Sequence, residues 1–168
     1  TAQTQWTEGQ RRLRFYADDL RAWGTAAGAE IVLMDRWVES HLPIDSVDEA
    51  SCLVTFSKKS VFCPEPGDLY YVQKALELLD SPGEWYLDKG AGTLYYLPMP
   101  NEVMAESEVV APVLSQLVEL EGRPEAGQYV EHIVFRGLTF CHTEWHLPPE
   151  QSGFPQAAVG VPGAIYAE

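Results

Sequence analysis

The sequence predicts a mainly β chain with one short helix. Three observations carry that prediction. Runs of β-branched and aromatic residues recur along the chain, bounded by clusters of Gly, Pro and Asp. Apolar residues recur at three- and four-residue spacing over Tyr71–Leu79, which reads as one short amphipathic helix. The composition, 46% hydrophobic and 11% aromatic, is that of a chain that packs a core rather than staying disordered.

Taken in order, Arg12–Tyr16 and Glu30–Val38 are strand candidates, the second built around the apolar run Ile31-Val32-Leu33-Met34. Ser51–Ser57 carries β-forming residues in a half-buried pattern. Pro64-Glu65-Pro66-Gly67-Asp68 is a turn cluster. Over Tyr71–Leu79, Val72, Ala75, Leu76 and Leu79 share one helical face, with Asp68 as N-cap and Ser81-Pro82-Gly83 as the stop. Glu84–Asp88 and Thr93–Leu97 flank a Gly-rich pivot and predict a β-hairpin. Alternation puts Glu84, Tyr86 and Asp88 on one face and Trp85 and Leu87 on the other, with Trp85 in the core. Trp6, Trp23 and Trp37 are assigned to core packing or domain docking.

Val103–Val110 is a short apolar run, and Val113–Leu120 is a strand or a helical turn. The segment 121–127 has loop composition and divides the chain into domains over 1–122 and 128–168. Beyond it, Tyr129–Phe140 is strongly β, with Ile133, Phe135, Leu138 and Phe140 alternating around Arg136-Gly137. Small residues in 157–161 and 163–167 suit a further, closely packed strand layer.

The net charge of −14 opposes nucleic-acid binding, which needs clustered Lys and Arg, and equally opposes anionic membranes. Arg11-Arg12-Leu13-Arg14 is the local exception; it is a solvated strand edge or a contact for an acidic partner. No run of roughly 18 apolar residues spans a bilayer. Cys52, Cys63 and Cys141 lack zinc spacing. Cys52 and Cys63 either face each other across a hairpin or remain buried free thiols, the latter being expected. Gly90-Ala91-Gly92 lacks a dinucleotide fingerprint, and no Ser or Cys sits in a nucleophile elbow, so no cofactor is expected. Asp18-Asp19 and Asp45–Glu49 offer oxygens to calcium without the spacing of an EF-hand.

Two motifs in this order, Gly83-Glu84-Trp85-Tyr86-Leu87-Asp88 with Gly92-Thr93-Leu94-Tyr95-Tyr96-Leu97-Pro98, and Ile133-Val134-Phe135-Arg136-Gly137-Leu138-Thr139-Phe140 with His142-Thr143-Glu144-Trp145, resemble glycoside hydrolase family 141 and its relatives. At one place the family pattern has Glu-Asn where this chain has Gln73-Lys74. The resemblance implies a β-rich insertion domain followed by the first coils of a right-handed parallel β-helix. It implies a fragment of a secreted or periplasmic bacterial enzyme acting on polysaccharide, with the main catalytic acids in later coils. The chain starts without Met and without a basic, apolar leader, which suits a processed or trimmed protein. A β-helix coil cannot bury its faces alone, so the remainder of the helix, or a second copy through the open face, is the expected partner.

Glycoside hydrolysis uses two carboxylates, and sugar faces stack on aromatic rings. Glu144 is the local candidate for an acid. The resemblance places His142 and Trp145 along the substrate; His146 stands beside them as a hydrogen-bonding group. Tyr86 and Tyr95, with Tyr96, are candidate sugar contacts on the hairpin. His142, Glu144 and His146 have spacing akin to helical zinc motifs, but Leu147-Pro148-Pro149 opposes a helix, and no metal is expected. A non-catalytic carbohydrate-binding or β-helix-capping module is the alternative.

Overall fold

The computed structural model describes residues 5–17, 19–21, 28–154, 156–157 and 160–168. The fold is mainly β. It divides into two compact units: Thr1–Ser107 with Leu147–Ala157, and Glu108–His146 with Ala158–Glu168. Among the described residues no helix is long and apolar enough to cross a membrane.

The first unit is organised by a five-stranded antiparallel sheet in the order β1-β4-β3-β2-β5. Its strands are β1 (Arg12–Arg14), β2 (Glu30–Asp35), β3 (Val38–Asp48), β4 (Leu53–Phe56) and β5 (Leu69–Gln73). β2 is the apolar run read from the sequence, and it is central because Ile31, Val32 and Leu33 are all fully buried. The core gathers Ile31, Leu33, Leu42, Ile44, Val54 and Phe56 from the sheet, with Phe15, Leu20 and Ala75 packed on them. Each large apolar side chain sealed there contributes roughly 1.5–3 kcal/mol of transfer free energy.

The expected strand Glu30–Val38 is two strands. Asp35 pairs with Val38, and Arg36 turns the chain at a φ of 57°. The run 39–48 carries no clear strand signal in the sequence, because Ser40, His41, Pro43 and Asp45 dilute its apolar residues. The alternation is nevertheless there: Ser40, Leu42 and Ile44 face inward. Asp35 is fully buried and explains the inward Ser40. The Ser40 hydroxyl lies 3.3 Å from both Asp35 carboxylate oxygens, Phe62 N–H donates to Asp35 Oδ2 at 3.2 Å, and Val61 N–H donates to Ser40 Oγ at 2.8 Å. Burial pushes the Asp35 carboxyl up, against these hydrogen bonds.

The expected helix over Tyr71–Leu79 is not formed. Its first residues are β5, paired with β2 from Leu69↔Met34 to Gln73↔Glu30. Lys74 has a φ of 62°, which ends the strand, and only a 3-10 turn, Leu76–Leu78, follows. Three successive β-formers, Tyr70, Tyr71 and Val72, beside an open edge of β2 outweigh the apolar spacing. Asp68 is therefore no helix cap; it closes the preceding turn by accepting from Glu65 N–H at 2.7 Å.

The predicted hairpin is present as β6 (Trp85–Asp88) and β7 (Thr93–Tyr96), in register from Trp85↔Tyr96 to Asp88↔Thr93. Asp88 stabilises the turn by accepting from Gly90 and Ala91 N–H at 2.9 Å. Trp85 is 66% exposed and Leu87 is exposed as well, so the placement of Trp85 in the core is corrected. A two-stranded ribbon has two faces, and neither is enclosed here.

The second unit contains β8 (Val118–Leu120) and β9 (Ile165–Ala167), paired in parallel. Of the segment Val113–Leu120 only Val118–Leu120 forms a strand, and Ile165–Ala167 within the 163–167 segment supplies its partner. The predicted strand over Tyr129–Phe140 is absent. Positive φ at His132 and Gly137 breaks the extension, and Val134 is 77% exposed. Phe135 and Phe140 meet edge to face at 5.6 Å. Alternating apolar residues make a strand only when a neighbour takes their backbone hydrogen bonds, and none does so among the described residues. Ala158 and Val159 of the expected further layer, together with Trp23 and Asp18, lie outside the described residues.

Candidate functional site

The residues singled out from sequence fall in both units. On the hairpin, Tyr86 and Tyr95 are directly opposite across the strands, as their shared face requires, with ring centroids 6.3 Å apart and planes tilted by 33°. Tyr95 is exposed and Tyr86 half-buried. Tyr96 is committed elsewhere: its hydroxyl donates to Glu102 Oε2 at 2.7 Å, a bond that pushes the phenol up and holds Glu102 down.

In the second unit, Glu144 and His146 come together, with Oε1 and Nε2 at 3.1 Å. Glu144 N–H donates to Leu114 O at 2.9 Å, which ties this extended run to the segment before β8. His142 is exposed at a φ of 63°, and Trp145 is half-buried. Glu144 meets a histidine rather than a second carboxylate, so the pair can orient a hydroxyl or pass a proton but does not reproduce the acid pair of glycoside hydrolysis. Among the described residues no three His, Cys, Asp or Glu gather as a metal centre would require. In the segment offered for calcium, Asp48 instead accepts from Ala50 N–H, Ser51 N–H and the Ser51 hydroxyl. Cys52, Cys63 and Cys141 are free thiols, the first two half-buried and the third exposed.

Two groupings went unread in the sequence. The first surrounds Glu30, buried at the start of β2. Its carboxylate receives Gln73 Nε2 at 2.7 Å, Lys74 Nζ at 2.9 Å and His41 Nδ1 at 2.8 Å. Burial alone would raise its pKa; the hydrogen bonds from His41, Lys74 and Gln73 overcome that and bring it down to about 2. Gln73 and Lys74, the pair that departs from the family pattern, are both spent on this one carboxylate. The second grouping is aromatic. Trp6 and Trp37 are exposed rather than buried in the core, and both rings lie against Phe62, at 5.3 and 5.1 Å. The Arg36 guanidinium stacks 4.8 Å over Trp6 and pairs with Glu65 Oε1 at 2.5 Å. Sequence distance hides both sets: β2–β3 pairing and the β2–β5 register gather the first, and the β2–β3 turn, the Phe62 N–H bond to Asp35 and the Cys63 N–H bond to Trp6 O gather the second.

Comparison with known proteins fits this architecture. Residues 56–99 match the GH141 insertion domain. The match runs from the last residue of β4 through β5 and the whole hairpin, so the hairpin motif that prompted the resemblance lies inside it. A solved structure named "Glycoside hydrolase" is similar to this chain at a TM-score of 0.59 and 30% identity. That likeness covers 70% of this chain and 22% of the other, so the chain spans about a fifth of that protein. No curated protein matches the chain. The first unit thus carries a glycoside-hydrolase-related domain.

Proposed function

We propose that the chain is part of a polysaccharide-acting glycoside hydrolase, secreted or periplasmic in a bacterium. It comprises a β-rich insertion domain over 1–122 and, over 128–168, the first coils of a right-handed parallel β-helix; the main catalytic acids lie outside this chain. The observation that carries the reading is the likeness of most of the chain, at 30% identity, to a solved glycoside hydrolase. The parallel pairing of Val118–Leu120, at the end of the first segment, with Ile165–Ala167 supports it, since a β-helix coil offers an adjoining strand this kind of parallel stacking. The meeting of Glu144 with His146 supports a substrate-contacting role for Glu144, His142, Trp145 and His146. Tyr86 and Tyr95 offer a second sugar-facing surface on the hairpin.

The test is hydrolysis of a panel of plant and microbial polysaccharides by the full-length protein, read as released reducing ends. Trp145→Ala and Tyr95→Ala raise KM more than they lower kcat. Glu144→Gln keeps kcat within about tenfold of the parent, whereas a loss of about a thousandfold makes Glu144 a catalytic acid and overturns the placement of the main acids elsewhere. The second reading, a non-catalytic binding or capping module, is favoured by the exposed apolar residues Tyr129, Val134 and Leu138, which suit a covering partner such as further coils. Saccharide binding without any hydrolysis by the full-length protein decides for it.

A further inference from the structure

The first unit carries a groove of about 600 Å³, lined on one side by Arg11 and residues 57–61 and on the other by residues 149–153. Its charge is opposite to that of the chain. Arg11, Lys58 and Lys59 line it against one carboxylate, Glu150, on a protein with 11 cationic and 25 acidic side chains. Three of so few cations in one groove reverse the local field.

Both walls are fixed by backbone. On the first, Gly9 lies so close to residue 60 that a Cβ would sit 1.7 Å from Ser60 O. Gln10 N–H donates to Ser60 Oγ and Ser60 N–H to Gln10 O, each at 2.9 Å, and Arg11 Nη1 donates to Ser57 O. One guanidinium N–H is thereby used, and the rest of the fork stays available. On the second wall, a Cβ on Gly153 would lie 2.3 Å from Glu39 O, and His41 N–H donates to Ser152 O at 2.6 Å. Lys58 Nζ donates to Gln151 O at 2.9 Å, joining the two walls. The backbone of a site held this way needs little rearrangement to take a ligand.

The polar groups left over specify the ligand. The exposed Lys59 ammonium has no hydrogen bond or ion pair among the described residues. Gln151 Oε1 is buried and has no hydrogen-bond donor among the described residues, an arrangement that costs free energy until a donor arrives. The groove therefore asks for an anion and a hydroxyl donor on one small, polar molecule. We propose that it binds a carboxylated sugar unit of a polysaccharide, with the carboxylate between Arg11 and Lys59 and a ring hydroxyl donating to Gln151 Oε1 once the Gln151 amide turns to present that oxygen to the groove. This rests on the carbohydrate reading above and narrows it to acidic glycans.

The experiment is calorimetric titration of the full-length protein with tetragalacturonate, with a neutral galactan tetrasaccharide and with inorganic phosphate. Tetragalacturonate binds; Lys59→Gln weakens it about fivefold and Glu150→Gln strengthens it. Gln151→Leu also weakens it, which a simple anion sink would not show. Unchanged melting temperatures for Lys59→Gln and Glu150→Gln, and one that is not lowered for Gln151→Leu, confirm that the variants fold. Equal binding of acidic and neutral tetrasaccharides, unaffected by Lys59→Gln, overturns the groove assignment while leaving the carbohydrate reading in place. Phosphate binding as tightly as the sugar acid, with the same loss in Lys59→Gln, also overturns it. Absence of tetragalacturonate binding overturns the groove assignment, while the carbohydrate reading is decided separately by the polysaccharide panel.

Discussion

Glu30→Gln tests how the centre of the sheet responds to acid. The wild-type carboxylate falls from 4.5 to about 2 on folding, because His41, Lys74 and Gln73 donate to its ionised form. A depressed folded-state pKa contributes stability that is complete above pH 4.5 and is lost as pH falls toward 2. At about 1.4 kcal/mol per unit, that shift corresponds to roughly 3 kcal/mol. Lys74 is 57% exposed, so screening by water trims the figure to about 2–3 kcal/mol. Glu30→Gln removes the ionisable group. The variant is less stable than wild type by about this amount at neutral pH, and the gap closes as pH falls through the window from 4.5 to 2. The assay is denaturant unfolding between pH 2 and 7, followed by circular dichroism and by amide exchange at Ile31–Leu33, which isolates the sheet. Asp35 acts with the opposite sign: burial raises its pKa, so protonation of its carboxyl on acidification relieves a cost. Parallel pH profiles for wild type and Glu30→Gln would falsify the assignment of this acid sensitivity to Glu30.

Three further outcomes follow from the packing. Gly153→Ala destabilises the first unit by about 2 kcal/mol, because the new methyl collides with Glu39 O; an unchanged melting temperature refutes the close approach. Trp85→Ser shifts stability by less than about 0.5 kcal/mol, since its ring is largely in water; a loss of several kcal/mol shows that this face is covered. All three cysteines titrate as thiols without reductant, the exposed Cys141 fastest; a mass two hydrogens lighter before reduction reveals a disulfide.

The fold was legible where one signal dominated. The run Ile31–Leu33 had no face to spare for water, so a central strand was the one outcome open to it. The hairpin was legible because a Gly-rich pivot between aromatic runs fixes both turn and register. What failed was weighing period against partner. Val72, Ala75, Leu76 and Leu79 have helical spacing, yet Tyr70, Tyr71 and Val72 join β2 because an edge is open there. The alternation of Ile133, Phe135, Leu138 and Phe140 meets no such edge among the described residues and forms no strand. The candidate site divides in the same way. Tyr86 opposite Tyr95, and Glu144 beside His146, follow from local spacing. The Glu30 cluster and the cationic groove depend on residues up to 142 positions apart, from Arg11 to Gly153, which no single-sequence pattern can join.

The parallel pair β8–β9 also sets a timetable. Ile165 lies 47 positions after Val118, whereas the β2–β3 turn closes within a few residues. At roughly 5–20 residues per second of synthesis, β8 emerges about 2–9 s before its partner exists. The first sheet can form during that interval, while Val118–Leu120 waits with open backbone groups. On the ribosome, then, the second unit passes through a stage in which its one strand is free to pair with whatever is nearest.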